Sequence, residues 1–158
     1  MAHHEHKYQV SVKWIGNRGT GTSGYRSYGR DHTIGSEGKP DIPGSSDPAF
    51  LGNAARWNPE DLLVAAVSAC HKLWYLHLCS DAGIAVQSYL DNAEGTMLDN
   101  AQAGRFTQIV LRPRVTIRAT DDGDLARHLH HTAHQKCYLA NSVNFPILCE
   151  PTIIMADA

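Results

Sequence analysis

Tyr8, Val10, Val12 and Trp14 alternate with polar neighbours in "KYQVSVKW", the two-residue period of a half-buried strand. "GNRGTGTSGYRSYGRDHTI" follows with turn residues between short β-prone pieces, which predicts a meander reaching about Ile34. From Gly35 to Trp57 the chain is rich in Gly, Pro and Ser and has no period, so it reads as a loop long enough to be functional. Asn58 then offers an N-cap, Pro59 suits the first helical position, and Glu60 and Asp61 complement the positive end of a helix. That helix should run to about Asp81 and stop at Gly83. Leu62 to Ala69 is apolar on nearly every face, which predicts a central helix buried on all sides.

Beyond it, "AVQSYLDNAEGTML" and "GRFTQIVLRPRVTIRA" read as two long strands, with "DNAQAG" as their hairpin loop. A second helix from about Gly123 to Tyr138 carries Leu125, Leu129 and Ala133 on one stripe, and a last strand lies near "CEPTIIM". The order β-β-β, α, β-β, α, β predicts an α+β fold, antiparallel sheet packed on helices.

The chain's 158 residues fit one domain, 1–158, in which the polar start "MAHHEH" is expected to be disordered. A net charge of −2, with acids and bases evenly scattered, gives no field for nucleic acid and no acidic tail. The opening residues lack the apolar core of a secretory signal, and no uninterrupted apolar run has membrane-spanning length. The cytosol is therefore the expected location, where cysteines are normally reduced and a disulfide is more often catalytic than structural.

The four cysteines, Cys70, Cys79, Cys137 and Cys149, contain no C-x-x-C pair, which argues against a four-cysteine zinc site. His130 and His134 in "HLHHTAH" have the i, i+4 spacing of a chelating pair, and His71 and His77 flank the first cysteine. Without an H-E-x-x-H pattern an exposed His-rich helix face is more often just polar, so no metal and no cofactor is expected. "GTGTSG" lacks the Lys-Ser/Thr of a phosphate loop and does not open a helix, which argues against nucleotide binding.

A lone buried cysteine is usually a small hydrophobe. Two motifs change that reading. "NPEDLLVAAVSAC", followed 67 residues beyond its cysteine by Cys137 in "AHQKCYLANSVNFP", resembles the OsmC/Ohr family of peroxide-reducing thiol proteins. The opening "W-x-G-x-R-G-x-G" resembles it too, so the likeness spans Lys7 to Ile154, and the long loop "SSDPAFLGNAARW" is closer to the OsmC-like branch. The resemblance implies an intertwined homodimer whose antiparallel sheets pack around the long helix. It implies a peroxidatic Cys70, a resolving Cys137, and an arginine held by a carboxylate, for which Glu60 matches the motif glutamate. Arg18 is the preferred arginine, with Arg56 as the alternative and Arg26 and Arg30 remaining in play.

Geometry adds two expectations. Cys79 lies nine residues past Cys70, about 180° around the helix and about 13 Å along it, so it should be a bystander, as should Cys149 beside the last strand. Ten residues of unbroken helix separate Glu60 from Cys70 by about 15 Å, which puts the Glu60 and arginine serving a given Cys70 in the partner subunit. The expected activity is reduction of organic hydroperoxides, and of hydrogen peroxide, with a small or protein-bound dithiol as reductant. Trp57, Leu73, Trp74 and Phe145 favour an apolar peroxide. The competing reading is a non-catalytic module that senses oxidants or holds an apolar ligand.

Overall fold

The computed structural model describes residues 5–100 and 103–157. Residues 1–4 of the expected disordered start, and residues 101 and 102 of the expected hairpin loop, lie outside the described residues. The chain divides into two compact units, one up to Leu62 and one from Leu63.

In the first unit, β1 (Ser11–Trp14), β2 (His32–Gly35) and β3 (Ile42–Gly44) form an antiparallel sheet in that order. The expected meander is thus interrupted by a long turn region, and its third strand lies in the stretch read as loop. The rest of that stretch is ordered by polar contacts. Buried Ser45 donates to Asp31 Oδ1 at 2.9 Å and accepts from Asn53 N–H at 3.0 Å, and Gly44 bridges to Trp57. Of the alternating run expected as a strand only Ser11–Trp14 is one, Tyr8 and Val10 preceding it, and Tyr8, Val10 and Val12 are 88%, 71% and 65% exposed.

Helix α1 spans Pro59–Asp81 without a break, and Asn58 caps it by accepting from Asp61 N–H at 2.7 Å. Gly83, at φ 76°, lets the chain reverse in the left-handed region, where a side chain would be strained. Burial on all sides is not found. Val67, His71, Tyr75 and Cys79 form one buried stripe at i, i+4 spacing, while Ala65, Ala66, Ala69 and Leu73 are exposed. The apolarity that the sequence spreads around the helix exceeds what its own chain covers.

In the second unit each predicted long strand is bent into two. Val86–Asp91 (β4) and Glu94–Asp99 (β5) replace the first, and Gly104–Leu111 (β6) and Pro113–Ile117 (β7) replace the second. The tail likewise gives Ile147–Cys149 (β8) and Thr152–Met155 (β9). β4, β7 and β9 make one sheet, and β5, β6 and β8 another. Pro113, which has no N–H to donate, stands at one bend. Arg112 ties all three bends together, its Nη1 reaching Glu94 Oε2 at 3.4 Å and its Nε reaching Glu150 Oε2 at 3.2 Å. The expectation of purely antiparallel sheets is corrected as well, because β6 pairs with β8, and β7 with β9, in parallel. The final strands follow a helical crossover rather than a hairpin, and such a connection permits parallel pairing.

Helix α2 spans Gly123–Lys136, capped by Asp122, which accepts from the N–H groups of Asp124 and Leu125. Its buried stripe is Ala126, Leu129, His130 and Ala133, and Leu125 stays 37% exposed. Two cores result. Tyr75 and Cys79 pack with α2 and the first of these sheets around Val115 and Ile117, whereas Val67 packs with Ile109, Leu111 and Ile147 of the second. Gly95 permits the second packing, since a Cβ there would come within 2.6 Å of Val64 Cγ2. His71 lies on the helix between the two cores.

Candidate functional site

Cys70 sits mid-way along α1 and is partly exposed, while Cys137 is the C-cap of α2 and is 1% exposed. The two thiols are close enough for Cys70 to act on the titration of Cys137. Burial drives the Cys137 pKa up from the ordinary thiol value to about 11, and the neighbouring Cys70 adds to that rise. The backbone N–H groups of Ala140 and Leu139 oppose it by donating to the sulfur, so a thiolate forming there would meet waiting donors. That turn is held by Asn141, whose N–H donates to Cys137 O at 3.1 Å and whose side chain donates to Gln135 O at 3.0 Å. Tyr138 packs edge-on against Trp74 at 5.6 Å, and the Lys136 ammonium stands 5.5 Å from the same indole. Phe145 stacks on Phe106 at 5.5 Å in the core.

The arginine candidates and Glu60 belong to the first unit. Arg56 is not paired with Glu60. Its Nε contacts Asp31 Oδ2 at 3.2 Å, both groups being partly buried. Asp31 is therefore a carboxylate that no motif singles out, 25 residues from the arginine it holds. Arg18 has no ion-pair partner among the described residues and lines a cavity of about 360 Å³ with Asp31 and Asn53. Arg30 lies over the rings of Tyr25 and Tyr28 at 4.4 and 4.1 Å and donates to both of their carbonyls, a structural use. Glu60 is partly buried and has no hydrogen-bond or ion-pair partner among the described residues.

Cys79 is buried against Tyr75, nine residues from Cys70 on the same unbroken helix. Cys149 does not stand alone. Its sulfur lies 3.7 Å from His71 Nε2 and 3.9 Å from His130 Nδ1, and the two nitrogens are 3.0 Å apart. The i, i+4 pairing of His130 with His134 is thus replaced by a contact between helices. The signal was within the sequence only as three separate residues, 59 and 78 positions apart from His71.

The sequence profile of the family described as OsmC-like protein matches residues 52–151, and the chain belongs to that family. An OsmC-like protein of unknown function from Vibrio cholerae O1 biovar eltor is similar, with 30% identity, a TM-score of 0.85, and coverage of 94% of this chain and 100% of that one. An organic hydroperoxide resistance protein from Elizabethkingia anophelis shares the fold at 18% identity and TM-score 0.67, over 97% of this chain and 100% of that one. A Legionella pneumophila protein described as an organic hydroperoxide resistance protein does so at 17% identity and TM-score 0.64, over 94% and 98%. No curated protein matches the chain.

Proposed function

We propose that this OsmC-like protein is a thiol peroxidase that reduces organic hydroperoxides, with hydrogen peroxide as a further substrate. The observation that carries this reading is the meeting of Cys70 on α1 with Cys137 at the end of α2. The Cys70 thiolate attacks the terminal peroxide oxygen, the O–O bond breaks, and the alcohol leaves with a proton while Cys70 becomes a sulfenic acid. Cys137 then attacks that sulfur. The S–S bond forms as the sulfenic hydroxyl departs with the thiol proton as water. A small or protein-bound dithiol returns both cysteines to thiols by exchange, which suits a reducing compartment such as the cytosol.

An arginine beside Cys70 would favour the thiolate and donate to the peroxide oxygens. Arg18, without an ion-pair partner among the described residues and lining a cavity, is assigned that role with Glu60 as its carboxylate. The pairing of Arg56 with Asp31 supports the alternative, an arginine already held in place. Glu60 and Cys70 stand ten residues apart on one continuous helix, about 15 Å of axis, so the proposal places them in opposite subunits of a homodimer. The uncovered apolar row of Tyr8, Val10 and Val12 and the exposed Leu73 of α1 support a second copy as the missing cover.

Peroxide consumption in the presence of a dithiol tests the activity, and its absence in reduced, folded protein would leave the sensing or ligand-binding reading. The subunit arrangement is tested by mixing Cys70→Ser with Glu60→Ala chains, each inactive alone. Random reassortment should return about a quarter of the wild-type sites, since half the dimers are mixed and each holds one intact site. No recovery in dimers confirmed by sizing would show that the groups serving one site come from one chain.

A further inference from the structure

Two histidines and a cysteine meet in the interior, and the Cys70 to Cys137 chemistry uses none of them. His71 comes from α1, His130 from α2, and Cys149 from the last position of β8. The rings are 1% and 2% exposed, and Cys149 is partly exposed. Packing alone would be served by Leu and Val at such positions, and the three side chains instead bring three soft or borderline donors to one point.

The distances fit a tetrahedral ion. With metal to nitrogen near 2.0–2.1 Å and metal to sulfur near 2.3 Å, two ligand nitrogens should be about 3.3 Å apart and each about 3.6 Å from the sulfur. The observed separations are 3.0 Å between the nitrogens and 3.7 and 3.9 Å to the sulfur. Only small side-chain movements separate the two sets. We infer that His71 Nε2, His130 Nδ1 and Cys149 Sγ form three faces of a binding site for a zinc-like divalent cation.

Two of the three ligands, His130 and Cys149, line a cavity of about 320 Å³ together with His134, Ile147 and Leu148, which gives an ion and a coordinated water a way in. Three protein ligands with an open position is the pattern of a reactive rather than a purely structural zinc. His134, one turn after His130, stands close enough to the cluster to act on His71 electrostatically. The outer nitrogens, His71 Nδ1 and His130 Nε2, have no partner among the described residues, so with their lone pairs turned to an ion both rings would carry buried protons unpaired, a cost the metal bonds must offset.

The surroundings suit a cation. Asp91 sets a negative charge close to both His71 and Cys149, and is itself fixed by Ser68 Oγ at 2.5 Å and by the Arg112 N–H at 2.7 Å. Arg127, which also lines the cavity and acts on His130, is the opposing charge. Cys149 binds as a thiolate, and its proton leaves to solvent as the sulfur to metal bond forms.

Cobalt(II), added to reduced, metal-free protein without oxygen, is the probe. A single ion per chain should bind with tetrahedral visible bands and a thiolate charge-transfer band, and zinc should displace it. Cys149→Ser should lose the charge-transfer band, whereas Cys70→Ser should keep it. In unmutated protein, zinc should slow alkylation of Cys149 by about tenfold or more, read by peptide mass spectrometry, with Cys70 little changed. This last measurement stands even where a variant fails to fold. Absence of the band, its survival in Cys149→Ser, its loss in Cys70→Ser, or unprotected Cys149 would each overturn the inference, and binding without thiolate character would assign the ion to exposed histidines.

Discussion

Cys70 and His71 are adjacent in sequence and belong to different environments. One residue of helix turns the side-chain direction by about 100°, so one position meets the partly open side of α1 and the next its closed side. Cys70 is partly exposed and faces the end of α2, where Cys137 and its backbone donors wait. His71 is 1% exposed and faces a second cysteine and a second histidine. Each face gathers a thiol from a distant segment. Exposure separates what they can do, because a substrate must reach the first sulfur, while the second cluster is shut off except on its cavity side.

Cys70→Ser tests the contrast most severely. It should reduce peroxide turnover to background while leaving the far-UV spectrum and melting temperature nearly unchanged, since it removes the nucleophile and little volume. Wild-type activity in that variant would move the chemistry elsewhere. Cys137→Ser should allow one turnover and then stall, with Cys70 driven to sulfinic acid by excess peroxide. Mass spectrometry of oxidised wild type should show the Cys70 to Cys137 crosslink, and a bond to Cys79 or Cys149 would erase the distinction between the two faces.

Smaller effects probe the closed side. In metal-free protein, His130→Leu should cost about 1–3 kcal/mol in urea unfolding, because it removes the 3.0 Å partner of buried His71 Nε2 and leaves it only the weaker contact with Cys149 Sγ at 3.7 Å. Adding His71→Leu should cost less than the sum of the two single changes, and additivity would mean that the 3.0 Å contact carries no energy. Cys137 supplies a pH test. Burial first, and Cys70 second, raise its pKa to about 11, so above pH ~9 the unfolded chain loses this proton before the native one does. Stability should fall as pH rises from ~9 to ~11, and the slope should be shallower, by about 2 kcal/mol over that interval, in Cys137→Ser. Cys79→Ala should cost about 1 kcal/mol of stability and leave turnover unchanged, as expected for a thiol that only fills space.

The start and stop of α1 were legible because caps act locally: Asn58, Pro59 and Gly83 lie within a few residues of the backbone groups they satisfy. Cys70 and Cys137 were legible through their motifs, which give the residues and not the contact. The bends at Arg112 and at Glu150–Pro151 were not, because an interruption of one or two residues barely disturbs a two-residue period. Parallel pairing of β8 with β6 escaped notice for a different reason, since strands of three residues carry almost no pattern. The Cys149 cluster was read as two unrelated features, a bystander thiol and a polar helix face. Its members come from three elements, and only the folded chain brings them within 4 Å.

The corner that Arg112 fastens also constrains how the gene for such a chain can change length. Side chains on a strand alternate between faces, so one residue inserted between the corner and the end of an arm would turn every later inward position outward. Between the corner and the turn one such extra residue is already absorbed, as Thr107 bulges where the pairing steps from Thr96–Gln108 to Met97–Phe106. The turn beyond the last rung, Asp99 opposite Gly104, carries no such constraint. Insertions and deletions should accumulate there, where added chain lengthens a loop without rephasing either strand.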